Sequence, residues 1–87
     1  MSWTVYILYS KKDKRLYVGC TSDIGKRYTR HSKGFVQATA YRRPLVLIHI
    51  EEFIDKGEAF QRERFLKSLW GAREKKKILT SYLETRQ

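Results

Sequence analysis

From Trp3 to Tyr9 the chain alternates, with Trp3, Val5, Ile7 and Tyr9 on one side of an extended backbone and Thr4, Tyr6 and Leu8 on the other. A period of two predicts a β-strand. The charged link "SKKDKR" follows, and "LYVGCT" resumes with Leu16, Val18 and Cys20 on one face and Tyr17, Gly19 and Thr21 on the other. The two runs predict a β-hairpin across which Tyr6 and Tyr17 can approach each other. The period then changes. Ile24, Arg27, Tyr28 and His31 fall at helical spacing behind a Thr21 or Ser22 N-cap with Asp23 in the first turn, and Gly34 stops the helix. "GFVQATAYRRP" reads as a loop closing on Pro44. "LVLIHIEEF" reads as a third strand, expected to be the most buried because its apolar run is nearly unbroken. Asp55 to Trp70 predicts a second helix ended by Gly71, and "AREKKKILTSYLETRQ" a third that frays towards Gln87.

The order ββαβαα predicts an α+β fold, a three-stranded antiparallel sheet flanked by helices, with residues 1–87 as one domain. Eighty-seven residues, 41% hydrophobic and 14% aromatic, are enough for a single core and argue against disorder. One cysteine excludes an internal disulfide, and with two histidines it cannot build a structural zinc site. The N-terminal "MSWTVYILYS" is not a signal peptide, and no apolar stretch reaches the roughly 20 residues of a membrane span. These features predict a cytoplasmic monomer that does not engage membranes, although a protein partner could direct it.

Charge changes the picture most. Nineteen Lys and Arg against nine Asp and Glu give a net +10, a field that attracts polyanions by releasing counterions from phosphates. Nucleic acid is the expected partner. The residues expected to meet its phosphates are Lys11, Lys12, Lys14 and Arg15 in the hairpin link, Arg30, Arg42 and Arg43, and Lys75, Lys76 and Lys77.

Against that background a few side chains stand out. Glu63 shares a helical stripe with Ala59, Leu66 and Trp70, so a carboxylate interrupts the face that should meet the sheet. It reads either as half of an ion pair with Lys67 or Arg62, or as a ligand for a hard cation such as Mg²⁺. Arg27 and His31 lie four apart, a guanidinium fork suited to phosphate with an imidazole one turn on. His49 reads as a hydrogen-bonded core or sheet-edge residue, and Cys20 as a small apolar filler.

Taken together, these parts resemble the GIY-YIG nuclease superfamily over most of the chain, in particular its small single-domain bacterial branch. "TVY" at Thr4–Tyr6 resembles the GIY element with Thr in place of its glycine, and "YVG" at Tyr17–Gly19, followed by Thr21, resembles the YIG element. Arg27 matches the catalytic arginine, His31 a position held by histidine or tyrosine, and "EAFQRERFLK" the helix carrying the metal-binding glutamate, here Glu63. "HSKG" and "EEF" fit the same branch. Several members, the excision-repair incision nuclease among them, carry an asparagine in the last segment. This chain has none, and Thr80 and Ser81 are its polar candidates there.

The resemblance implies an endonuclease that hydrolyses DNA, structure-specific or in repair and recombination, using one Mg²⁺ or Mn²⁺ ion. The implied catalytic set is Tyr6, Tyr17, Arg27, His31 and Glu63, with Glu63 the metal ligand and both tyrosine hydroxyls side by side at the sheet surface. Either Tyr6 acting through Tyr17 or Tyr17 directly would be the base. A non-catalytic nucleic-acid-binding module of the same fold is the rival reading, and an RNA-directed binder a third.

Overall fold

The computed structural model describes residues 2–85. Strand β1 (Trp3–Ser10) and strand β2 (Leu16–Thr21) form the hairpin, helix α1 (Ile24–Ser32) follows, and strand β3 (Leu45–Phe53) returns beside β1. Helices α2 (Lys56–Lys67) and α3 (Ala72–Thr85) complete the domain. The sheet is antiparallel in the order β2-β1-β3. The predicted α+β fold is therefore the one observed. The expected continuation of the last helix through residues 86–87 lies outside the described residues.

The most buried strand is β1, not β3 as the apolar run suggested. Every residue of β1 from Thr4 to Ser10 is buried, whereas β3 is an edge strand with most positions half-buried. The alternation in β1 separates two apolar faces, and both are covered. Val5 and Ile7 join Val18, Ala59 and Leu66 in a core under α2, with Ile78 of α3 at its margin. Tyr6 and Leu8 join Leu45 in a second core, with Tyr17, Ile24 and Tyr28 packed against it. Central position and two roofs bury β1, and sequence period alone reports neither. Between Ile7 and Leu8 the β1–β3 register shifts: Ile7 faces His49 and Leu8 faces Leu47. The bulge puts the consecutive residues Ile48 and His49 against one α3-lined hollow.

Helix ends also differ from expectation. Asp23, rather than Thr21 or Ser22, caps α1, its side chain accepting from the Lys26 backbone N–H at 3.0 Å. Gly34, at φ +82°, sits just past the α1 C-cap, Lys33, as predicted. The loop before β3 holds a short 3₁₀ turn, Ala40–Arg42. Asp55 caps α2, accepting from the Gly57 N–H at 2.8 Å. That helix stops at Lys67, so Trp70 lies in a separate 3₁₀ turn, Leu69–Gly71, and points to solvent. The stripe that holds Glu63 is Ala59, Glu63 and Leu66, without Trp70.

Candidate active site

The hairpin register decides how the tyrosines meet. Tyr6 stands opposite Gly19 and Leu8 opposite Tyr17, so the two tyrosines are diagonal neighbours on the face roofed by α1. Their ring centroids are 6.4 Å apart. Gly19 is required for space: a Cβ there would fall 2.3 Å from Tyr6 Oη and 2.4 Å from Tyr6 Cζ. The Tyr6 ring lies across a strand position that has no side chain.

Helix α1 carries His31 into this corner. Its ring centroid is 5.7 Å from that of Tyr6 and 5.2 Å from that of Tyr17, both edge-on. His31 Nε2 is 2.9 Å from Tyr6 Oη, and Nδ1 is 2.7 Å from Thr39 Oγ1. All three partners are fully buried. The Thr39 hydroxyl donates onward to the Val36 carbonyl at 3.5 Å, which leaves its oxygen to accept from Nδ1–H. That constraint assigns the tautomer: Nδ1 carries the proton, and the Tyr6 hydroxyl donates to Nε2.

The expected placement of both hydroxyls at the surface fails for Tyr6, which is fully buried, whereas Tyr17 is half-buried. The Tyr6 hydroxyl is enclosed by α1. Burial, then the charge on Tyr17, push it from 10.0 up to about 12; Arg27 pulls it down by charge and hydrogen bonding, and Glu63 pushes it slightly up. Burial, then the Arg27 charge, hold His31 down at about 4. Both shifts oppose moving the proton from Tyr6 to His31. His31 is a neutral acceptor here.

Glu63 reaches the same edge of the sheet from the opposite face. Helix α2 seats Ala59 and Leu66 in the core under it and holds Glu63 between them, its side chain 20% exposed. The charges of Glu63, on α2, and Arg27, on α1, both act on Tyr6 and on Cys20. Burial raises the Cys20 thiol and Glu63 raises it further, in keeping with an inert filler. Glu63 lines a hollow of about 330 Å³ with Phe60 and Arg64. Of the two ion-pair partners considered, Lys67 is the one present, its Nζ 3.0 Å from Glu63 Oε2. Arg62 is engaged elsewhere, clamping Glu51 at 2.7 and 3.0 Å and also pairing with Glu74. Glu51 in turn bonds His49 at 2.8 Å, which makes His49 the sheet-edge residue anticipated.

Among the described residues, no group of three or more His, Cys, Asp and Glu side chains could hold a metal ion. A protein cage is thus not on offer. A single partly exposed carboxylate does fit a hard cation such as Mg²⁺, which keeps most of its waters and takes one or two carboxylates plus substrate phosphate.

The remaining site expectations divide. Lys11, Lys12, Lys14 and Arg15 are exposed in the hairpin turn, and Arg30 and Arg43 are exposed nearby in sequence to the site helix and its loop. Arg42 is spent on structure, its Nε 2.8 Å from Asp13 Oδ2. Lys75 is half-buried, while Lys76 and Lys77 are exposed on α3. Thr80 and Ser81 line hollows along α3 and not the one at Glu63, so neither stands in for the missing asparagine at that carboxylate. Thr39 was missed. It lies in an aperiodic loop eight residues after His31, and only the fold makes them partners.

Residues 2–77 match the GIY-YIG catalytic domain. A UPF0213 protein of Natronomonas pharaonis is 37% identical over 75 residues, covering 85% of this chain and 87% of that protein. The UPF0213 protein YazA of Bacillus subtilis is 39% identical over 77 residues, covering 87% and 73%. The solution NMR structure of the UPF0213 protein BH0048 from Bacillus halodurans has a TM-score of 0.56 and 36% identity, covering 93% of this chain and 84% of that one. With a family match over most of its length, relatives more than a third identical and the same fold as one of them, the chain belongs to the GIY-YIG catalytic domain family.

Proposed function

We propose that the chain is a divalent-metal-dependent endonuclease that hydrolyses DNA phosphodiester bonds at the β2 edge. What supports this reading is the buried Tyr6–His31 pair beside Tyr17 on one face of the sheet, with Glu63 on the other, a carboxylate held between Ala59 and Leu66 with its side chain 20% exposed. A protein that only bound phosphate would gain nothing from a carboxylate held there.

Tyr6 is kept protonated by its burial and its neighbours, which leaves Tyr17, the more exposed phenol, to meet water. In this reading Tyr17, as the phenolate, takes a proton from a water whose oxygen attacks phosphorus. The P–O bond to the leaving sugar oxygen breaks, and that oxygen is protonated from solvent. Arg27 balances the charge gathering on the phosphoryl oxygens. Tyr6 and His31 hold the Tyr17 ring in place. Glu63 would hold the cation, whose chemistry is Lewis-acid stabilisation of the leaving oxygen. The substrates proposed are branched, flapped or single-stranded DNA.

The test is nicking of such substrates with Mg²⁺ or Mn²⁺ by the wild type and by Glu63→Gln. The variant should bind DNA at least as well, since a negative charge near phosphate is gone. It should lose most divalent-dependent cleavage, each 1.36 kcal/mol of lost stabilisation being tenfold in rate. Its stability should fall by at most about 1 kcal/mol, because Lys67, its partner, is half exposed. A Gln variant that still cuts would remove Glu63 from the chemistry. A wild type that cuts no DNA or RNA with any metal would make the chain a binding module.

A further inference from the structure

Apart from the hollow at Glu63, three hollows lie along α3. The Leu69–Gly71 turn that joins α2 to α3 leaves Leu69 93% and Trp70 82% exposed. Trp70 walls a cavity of about 350 Å³ with Arg73, Glu74 and Lys77. A second cavity of about 340 Å³ shares Arg73 and Lys77, adds Lys76, and carries Glu84 as its single acidic side chain. The largest of the three, about 420 Å³, shares Lys77 and Ser81, adds Tyr82 of α3 and reaches Ile48 and His49 at β3. Three cavities with common walls make one trough that starts at an exposed indole.

The charges in the trough are unspent. Among the described residues, Arg73, Lys76 and Lys77 enter none of the ion pairs, whereas Glu74 is held by Arg62. An indole meant for a protein interface would be expected among further apolar side chains. Here its cavity neighbours are charged, and only Leu69 accompanies it in the turn. A flat exposed aromatic beside free cations is the combination that holds single-stranded nucleic acid, bases stacking on the ring and phosphates following the charges.

We infer that the α3 trough anchors an unpaired strand, with one base stacked on Trp70 and the adjoining phosphates on Arg73 and Lys77. The inference rests on the reading of the chain as a nucleic-acid enzyme and names the substrate class: a molecule with a single-stranded segment. Helix α3 packs beside β3 and the catalytic cluster lies at β2, the two edges of one sheet. The longest dimension of the molecule is 33 Å, so one substrate can occupy both places.

Trp3→Phe leaves Trp70 as the only tryptophan, since the chain has two. In that background, without metal and at low salt, an oligo-dT strand should quench Trp70 fluorescence, and an abasic strand of equal length should not. Trp70→Ala should bind the dT strand about tenfold more weakly, and Trp70→Phe should recover most of that loss. Equal quenching by the abasic strand, or a Trp70→Ala variant that binds dT as the wild type does, overturns the inference and leaves the surface to a protein partner. The two readings fail separately. A protein whose Trp70 is quenched but which cuts nothing loses its nuclease reading and keeps the trough; one that cuts with Trp70 silent does the reverse.

Discussion

The Tyr6 hydroxyl stands 2.9 Å from His31 Nε2, and neither side chain exposes any surface. Around this pair stand Tyr17 on β2 and Arg27 on α1, and none of them favours a charge on the imidazole. His31 is held at about 4 in the fold against 6.5 when unfolded, so between those values the unfolded chain binds a proton that the folded one refuses. The stabilising effect is complete above pH 6.5 and is lost as pH falls towards 4. It amounts to roughly 3 kcal/mol over that window. Urea denaturation at pH 7, 6, 5 and 4 should show the loss in the wild type and a flatter profile in His31→Gln. A wild type as stable at pH 4.5 as at pH 7 contradicts this account. Asp13, held down at about 2 by Arg42, and Glu51, which burial raises but Arg62 and His49 pull down further, add to the loss at the acid end of that range in the wild type and the variant alike.

Thr39 completes the same chain of bonds. Thr39→Val keeps the shape but strands a buried Nδ1–H, so stability should fall by about 1–3 kcal/mol. Thr39→Ser should stay within about 1 kcal/mol of the wild type, since the hydroxyl is kept. If Thr39 also fixes His31 for catalysis, nicking should drop in the Val variant and return in the Ser variant. Unaltered stability in Thr39→Val would mean that the bond is not made in solution.

Lys67 already places a cation 3.0 Å from Glu63, the carboxylate proposed for the metal. Removing it should make Glu63 easier to load. Lys67→Met is expected to lower the Mg²⁺ or Mn²⁺ concentration for half-maximal cleavage several-fold, while stability changes by less than about 1 kcal/mol. A titration with an unchanged or higher midpoint would show that Lys67 swings clear at no cost.

Gly19→Ala drives a methyl group into the Tyr6 ring. The cost of such overpacking is typically about 1–3 kcal/mol, and here the ring is also tied to His31. Calorimetry should record a lower melting temperature. Combining the change with Tyr6→Leu should recover part of it, because the clash is with the far end of the ring. Additive losses in the double variant would place the strain elsewhere.

The elements were legible because each has its own period, and the edge of the site because Glu63 breaks an apolar stripe. What sequence could not supply was anything set by a second element. The burial of β1 depends on two roofs, and the enclosure of Tyr6 depends on α1. Trp70 falls on the α2 stripe at helical spacing, yet α2 ends at Lys67 and the spacing no longer applies. Glu63 had Arg62 and Lys67 as its candidate partners within one helical turn. Only the fold shows that Arg62 is taken by Glu51 and Glu74, leaving Lys67.

Tyr6 and Glu63 are seated in different apolar clusters, the first among Leu8 and Leu45, the second riding on Ala59 and Leu66. The sheet itself is the spacer between them. Their separation is therefore a thickness, like the gap of a calliper whose jaws are two helices, and no loop conformation sets it. Trimming Leu66 or Leu45 would tilt one jaw and retune the gap without touching a charged group. Activity in this fold can then drift through packing alone, and two relatives with the same five polar residues need not hold them at the same distance.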